Sequence, residues 1–154
     1  MAHILIVDDE AYRTRRYRET LRDAGHEVQY CSTFDEADEV LNDPDAKIDL
    51  LVQDLQMGRP IPTDRLQISN SEWERFHGLS GLWFLVRRRD YLLSRRIPVL
   101  ILTQKLAADF QETLNSEVKN EGVAVQVCHK IHTPADRLPT IVQQYLAGVP
   151  SASR

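Results

Sequence analysis

The chain has 154 residues, 42% of them hydrophobic and 27% charged, which suits one folded domain with a sizeable core and excludes a low-complexity chain. Its formal charge of −4, from 19 Lys and Arg against 23 Asp and Glu, lacks the basic footprint of a nucleic-acid binder, and direct nucleic-acid binding is not expected. No apolar run has bilayer-spanning length and residues 1–7 do not read as a secretory leader, so a cytoplasmic protein without membrane association is expected.

Residues 4–7, Ile-Leu-Ile-Val, form the first predicted strand, and Asp8, Asp9 and Glu10 follow at once. Tyr17, Thr20, Leu21 and Ala24 mark a helix by their three- and four-residue spacing. The weaker run 27–31 reads as a strand nearer the sheet edge, and Phe34, Ala37, Val40 and Leu41 as the next helix. A third strand at 48–52 leads to Asp54. Residues 55–80 break the alternation, because Gly58, Pro60, Pro62, Asn70 and Gly78 leave no sustained periodicity; so long a loop in a compact domain is usually functional or disordered. Within it, Trp73, Phe76 and His77 beside Glu72, Glu74 and Arg75 suit a short helix packed over a site or a partner, or a self-packed loop.

Leu82, Leu85, Val86 and Leu93 mark a further helix, residues 99–102 a fourth strand ending at Thr103, and Leu106, Phe110, Leu114 and Val118 the helix after it. A fifth strand at 123–128 ends near Lys130. In the last helix Leu138, Ile141, Val142, Tyr145 and Leu146 share one face; Thr133 is the expected cap, Pro134 the expected first-turn residue, and Gly148 with Pro150 the expected stop. Cys31 and Cys128 stand singly in apolar runs and read as buried thiols.

Strand and helix thus alternate five times, and right-handed crossovers turn that order into a doubly wound parallel α/β sheet with helices on both faces. Such sheets bind ligands beyond the carboxyl ends of their strands. Read together, those ends offer acids for a cation (Asp8, Asp9, Glu10), a carboxylate nucleophile (Asp54), a hydroxyl (Thr103) and an ammonium (Lys130).

ILIVDDE at 4–10, LLVQDLQM at 50–57, VLILT at 99–103 and the Lys130 region resemble the response-regulator receiver domains of two-component systems, the CheY-like family. The resemblance covers most of the chain, in order. It implies a flavodoxin-like five-stranded sheet with strand order 2-1-3-4-5, one receiver domain over residues 1–148 and a tail at 149–154. It implies Asp54 as phospho-acceptor, Thr103 and Lys130 as phosphoryl-binding and switch residues, and Mg²⁺ held by Asp8, Asp9, Asp54 and the backbone carbonyl of Gln56. Hard cations of this kind favour oxygen ligands of that type. The implied partners are a histidine kinase or phosphotransferase, a downstream protein effector and a second copy of the chain, engaged through a phosphorylation-dependent surface. On that reading the protein is a signalling domain that assists its own phosphorylation and dephosphorylation, not an enzyme.

Several positions depart from the family pattern. Ile131 follows the lysine where Pro is usual, so a trans peptide is expected there. Val127 replaces the usual aromatic switch residue. Gln104 stands where a small residue is typical, and with Gln56 and Lys105 it is expected to tune autodephosphorylation. The glycine that resembles Gly81 comes near twenty residues late, making 55–80 an insertion. Two alternatives remain at this point. One is a degenerate receiver that binds partners without phosphorylation. The other is a Mg²⁺-dependent phosphohydrolase with an Asp nucleophile, though the second Asp that such enzymes place two residues on is Gln56 here.

Overall fold

The five apolar runs pair in parallel as β1 (His3–Val7), β2 (Glu27–Cys31), β3 (Leu50–Gln53), β4 (Val99–Thr103) and β5 (Val125–His129), in the order β2-β1-β3-β4-β5. This is the flavodoxin-like order expected from the resemblance. The structure is a computed structural model and describes residues 1–149, so most of the tail expected at 149–154, and Pro150, lie outside the described residues.

Alternation along each strand sorts its side chains between two cores. Ile4, Ile6, Leu50, Val52, Leu100 and Leu102 pack with Leu21 of α1 (Ala11–Asp23) and with Leu138, Val142 and Tyr145 of α6 (Leu138–Gly148). Leu5, Val7, Leu51, Val99 and Ile101 face the opposite core. That second core is closed by α2 (Phe34–Asn42), α3 (Asn70–Arg75), α4 (Ser80–Ser94) and α5 (Gln111–Leu114). Its centre is aromatic: Phe34 stacks on Phe84 at 5.0 Å and meets Trp83 edge-on at 5.6 Å. Because both faces are covered, the central strands read as continuous Ile, Leu and Val rather than as alternating runs.

The segment between β4 and β5 is not the single helix its four-residue spacing suggested. A 3-10 turn at Ala107–Asp109 is followed by α5 and by a π-helical stretch, Asn115–Lys119. Spacing by four advances about 40° past a full α-helical turn at each step, so Phe110, Leu114 and Val118 drift around an ideal helix. The wider π turn takes up that drift and keeps Leu114 and Val118 fully buried. Leu106 stays outside at 70% exposure.

The last helix also starts later than its cap signals suggested. Thr133 does not cap it; its hydroxyl donates to the His129 carbonyl at 2.8 Å instead. Pro134 has extended ψ, a 3-10 turn covers Ala135–Arg137, and α6 opens with Pro139 in its first turn. No peptide bond among the described residues is cis, so Lys130–Ile131 is trans as expected.

Candidate functional site

Strand order reverses beside β1, so the ends of β1 and β3 flank the crevice where open parallel sheets bind ligands. Asp8 and Asp9 follow β1, and Asp54 follows β3. Carboxylate oxygens of these three residues lie within 4.8 Å of one another. Thr103 ends β4, and Lys130 comes directly after β5. The Lys130 ammonium donates to Asp8 at 2.9 Å and stands 3.9 Å from Asp54.

Local bonds fix each acid. The Asp54 amide donates to the Val7 carbonyl, and the Asp54 carbonyl accepts from the Gln53 side chain at 2.8 Å. Asp8 accepts from the Glu10 amide through one oxygen and from Lys130 through the other, while its own carbonyl accepts the Tyr30 hydroxyl. Asp9 is no helix cap: its carboxylate accepts the Gly58 amide at 2.9 Å and ties the first loop to the insertion. Gly81 is required by close approach, since a Cβ there would sit 1.9 Å from the Asp54 carbonyl oxygen.

Burial, followed by the neighbouring Asp8 charge, pushes the Asp54 carboxyl up to about 7, against the pull of Lys130 and the Gln56 amide. Burial alone would lower Lys130, but Asp54 and Asp8 outweigh it and its pKa is raised. Three crowded acids against one ammonium make a donor set that a divalent cation fits, and oxygen-only ligands suit Mg²⁺.

Above Asp54 opens a cleft of about 830 Å³. Gln56 and Gln104 line it with Asp9, Glu10 and Lys130; Lys105 is not in the lining. Thr103 is fully buried, and its hydroxyl oxygen accepts the Lys105 amide at 3.1 Å. The insertion supplies the far wall. It contains α3, started by a reciprocal Ser69–Glu72 capping box, and it brings Trp73, Glu74, His77 and Gly78 to the cleft. The short helix over the site is therefore real, with Leu66, Ile68, Phe76 and Leu79 in the core beneath it.

Sequence reasoning did not find Gln53, Ser80 or Tyr30. Gln53 and Ser80, both fully buried or nearly so, donate to the Asp54 and Met57 carbonyls and so hold the loop after Asp54. A glutamine within an otherwise apolar strand was the available signal.

No family model matches the chain, and no curated protein matches it in sequence. Solved structures do. A Francisella response-regulator receiver domain superposes with TM-score 0.65 at 18% identity, covering 96% of this chain and 98% of that one. A response-regulator receiver protein from Sinorhizobium medicae gives 0.65 at 24%, covering 96% and 95%. NtrX from Brucella abortus gives 0.64 at 25%, with 95% of this chain matching 27% of that longer one. The fold is that of a response-regulator receiver domain. Within the receiver fold, the acidic cluster and Lys130 occupy the strand ends at which ligands bind in open parallel sheets.

Proposed function

We propose that this receiver fold accepts a phosphoryl group on Asp54 and signals through protein contacts that depend on that modification. The observation that carries the reading is the convergence of Asp8, Asp9, Asp54 and Lys130 from three strand ends onto one point beneath the cleft. Phosphoryl transfer asks a protein chiefly for positioning and charge compensation, and this constellation supplies both.

An Asp54 carboxylate oxygen attacks phosphorus, and the bond to the donor's leaving atom breaks with its electron pair. Lys130 compensates charge on the phosphoryl oxygens. Thr103, whose hydroxyl oxygen already accepts from Lys105, keeps its proton for a phosphoryl oxygen that comes within reach. Mg²⁺, when bound by Asp8, Asp9, Asp54 and the Gln56 carbonyl, supplies the remaining charge neutralisation. The ionised nucleophile is costly without such a cation, as the raised pKa of Asp54 indicates.

A histidine kinase or phosphotransferase is the proposed donor, and a protein effector or second copy the proposed receiver of the signal. Exposed apolar side chains that follow the strand ends support protein contacts: Tyr12 in the first turn of α1 is 88% exposed, Ile131 83% and Leu106 70%. Intact-mass measurement after phosphoramidate and Mg²⁺ treatment should show one phosphoryl adduct, absent in Asp54→Ala. An adduct that persists in the variant removes Asp54 from this role; none in the wild type leaves a partner-binding domain that is not phosphorylated.

A further inference from the structure

The wall that the insertion raises over Asp54 is fixed by bonds to distant parts of the chain. The Arg65 and Leu66 amides donate to Asp35, the Trp83 indole N–H donates to Glu72, and Arg75 pairs with Glu117. Arg59 bonds the Ile68 carbonyl and Asn70 while standing 5.2 Å from the Trp73 ring. His77 and Gly78 both take left-handed backbone, φ 54° and 72°, and turn the chain so that Gly78 backs the Trp73 indole.

These polar side chains of the wall are thus engaged within the protein. Among the described residues, the His77 side chain lines the cleft without a hydrogen-bond partner, and so do those of two neighbours, Trp73 and Glu74. Neither the Trp73 indole N–H nor the Glu74 carboxylate has a hydrogen-bond or ion-pair partner among those residues. The cleft, about 830 Å³, is in the range of pockets that hold whole ligands rather than a phosphoryl group alone. Asp9, Glu10, Asp54 and Glu74 against Lys130 make its lining acidic, which repels a polyphosphate chain. The space beside the phosphoryl group therefore suits a flat, neutral or cationic group that carries an N–H.

We infer that Trp73 and Glu74 form a subsite for the imidazole ring of a phosphohistidine donor, which makes them specificity-determining residues for the transfer. The inference rests on Asp54 being the acceptor. The ring, protonated from solvent on the nitrogen that does not carry phosphorus, stacks on Trp73 and donates that N–H to Glu74. As the Asp54 oxygen bonds to phosphorus, the P–N bond breaks and its electron pair returns to the ring nitrogen. The imidazole leaves neutral, since its other nitrogen keeps the proton shared with Glu74.

The test compares phosphoimidazole with acetyl phosphate, which has no ring, by intact-mass time courses in Mg²⁺. The rate ratio of the two donors should fall about five- to tenfold in Trp73→Leu, stay within about twofold in Trp73→Phe, and fall about threefold in Glu74→Ala. Glu74 is exposed and unbonded, so its removal keeps the measurement independent of folding. An unchanged ratio in Trp73→Leu and Glu74→Ala overturns the inference, as does a parallel fall of both rates, which marks the wall as structural only. If neither donor modifies the wild type, the acceptor reading fails and this one with it; if both do and the ratio does not move, only this one fails.

Discussion

Asp54 carries a conflict between burial and charge that can be measured directly. Folding lifts its carboxyl from 3.8 to about 7, so between those values the native chain holds a proton that the unfolded chain has released. Stability of the metal-free protein therefore falls as pH rises through that window and levels off above about 7. The full shift corresponds to at most about 4 kcal/mol. Asp54→Asn, nearly isosteric and uncharged, should unfold at a higher temperature than the wild type at pH 8 in chelator, with the gap closing toward pH 4. Equal melting temperatures across that range would show that Lys130 already compensates Asp54. The acids, the hydroxyl and the lysine were legible in the sequence because each stands directly beyond an apolar run, where strand ends are easy to find. Gln53 and Ser80 were not, because their importance lies in which carbonyls they reach, Asp54 and Met57, and that depends on how the loop closes.

At the level of elements, the strands followed from Ile, Leu and Val runs and their order in the sheet from the family resemblance, but the insertion followed from neither. A short helix around Trp73 was legible from its aromatics and charges, whereas its position over the cleft depends on partners far along the chain. Gly58 bonds Asp9 across 49 residues, Leu66 bonds Asp35 across 31, and Arg75 reaches Glu117 across 42. Neither Asp35 nor Glu117 carries any local signal of that use. Glu117 also accepts from Arg89 of α4 at 3.0 Å, so one carboxylate ties the π turn to both α3 and α4. Glu117→Ala should cost about 1 kcal/mol, a fall of about 2–4 °C in melting temperature. Amide exchange should quicken in Asn115–Lys119 and Asn70–Arg75 together. Faster exchange in the π turn alone would mean that the tie to α3 carries no energy. The Arg75–Glu117 ion pair gives the insertion after Asp54 a direct contact with the helical segment after β4.

The whole molecule concentrates its unbalanced charge at one end of the sheet. Both cores are apolar, while Asp8 and Asp54 are buried at 3% and 6% exposure above them. Among the described residues, Lys130 is the cation that lies within 4.0 Å of either. A cation drawn to this acidic cluster would bind the native chain and not the unfolded one, so occupancy should appear as global stability. Mg²⁺ with fluoroberyllate, a phosphoryl mimic, at about a hundred times its dissociation constant should add about 2.7 kcal/mol, or about 5–10 °C in melting temperature. Asp9→Asn should weaken the response to Mg²⁺ while leaving the metal-free protein stable, because Asp9 is exposed. Lys130→Met should do the reverse: it leaves Asp8 and Asp54 without their ammonium, lowers the metal-free melting temperature at pH 8, and leaves Mg²⁺ with more repulsion to relieve. A Lys130→Met protein that melts with the wild type in chelator and gains no more from Mg²⁺ would show that Lys130 is not what holds this acidic cluster together.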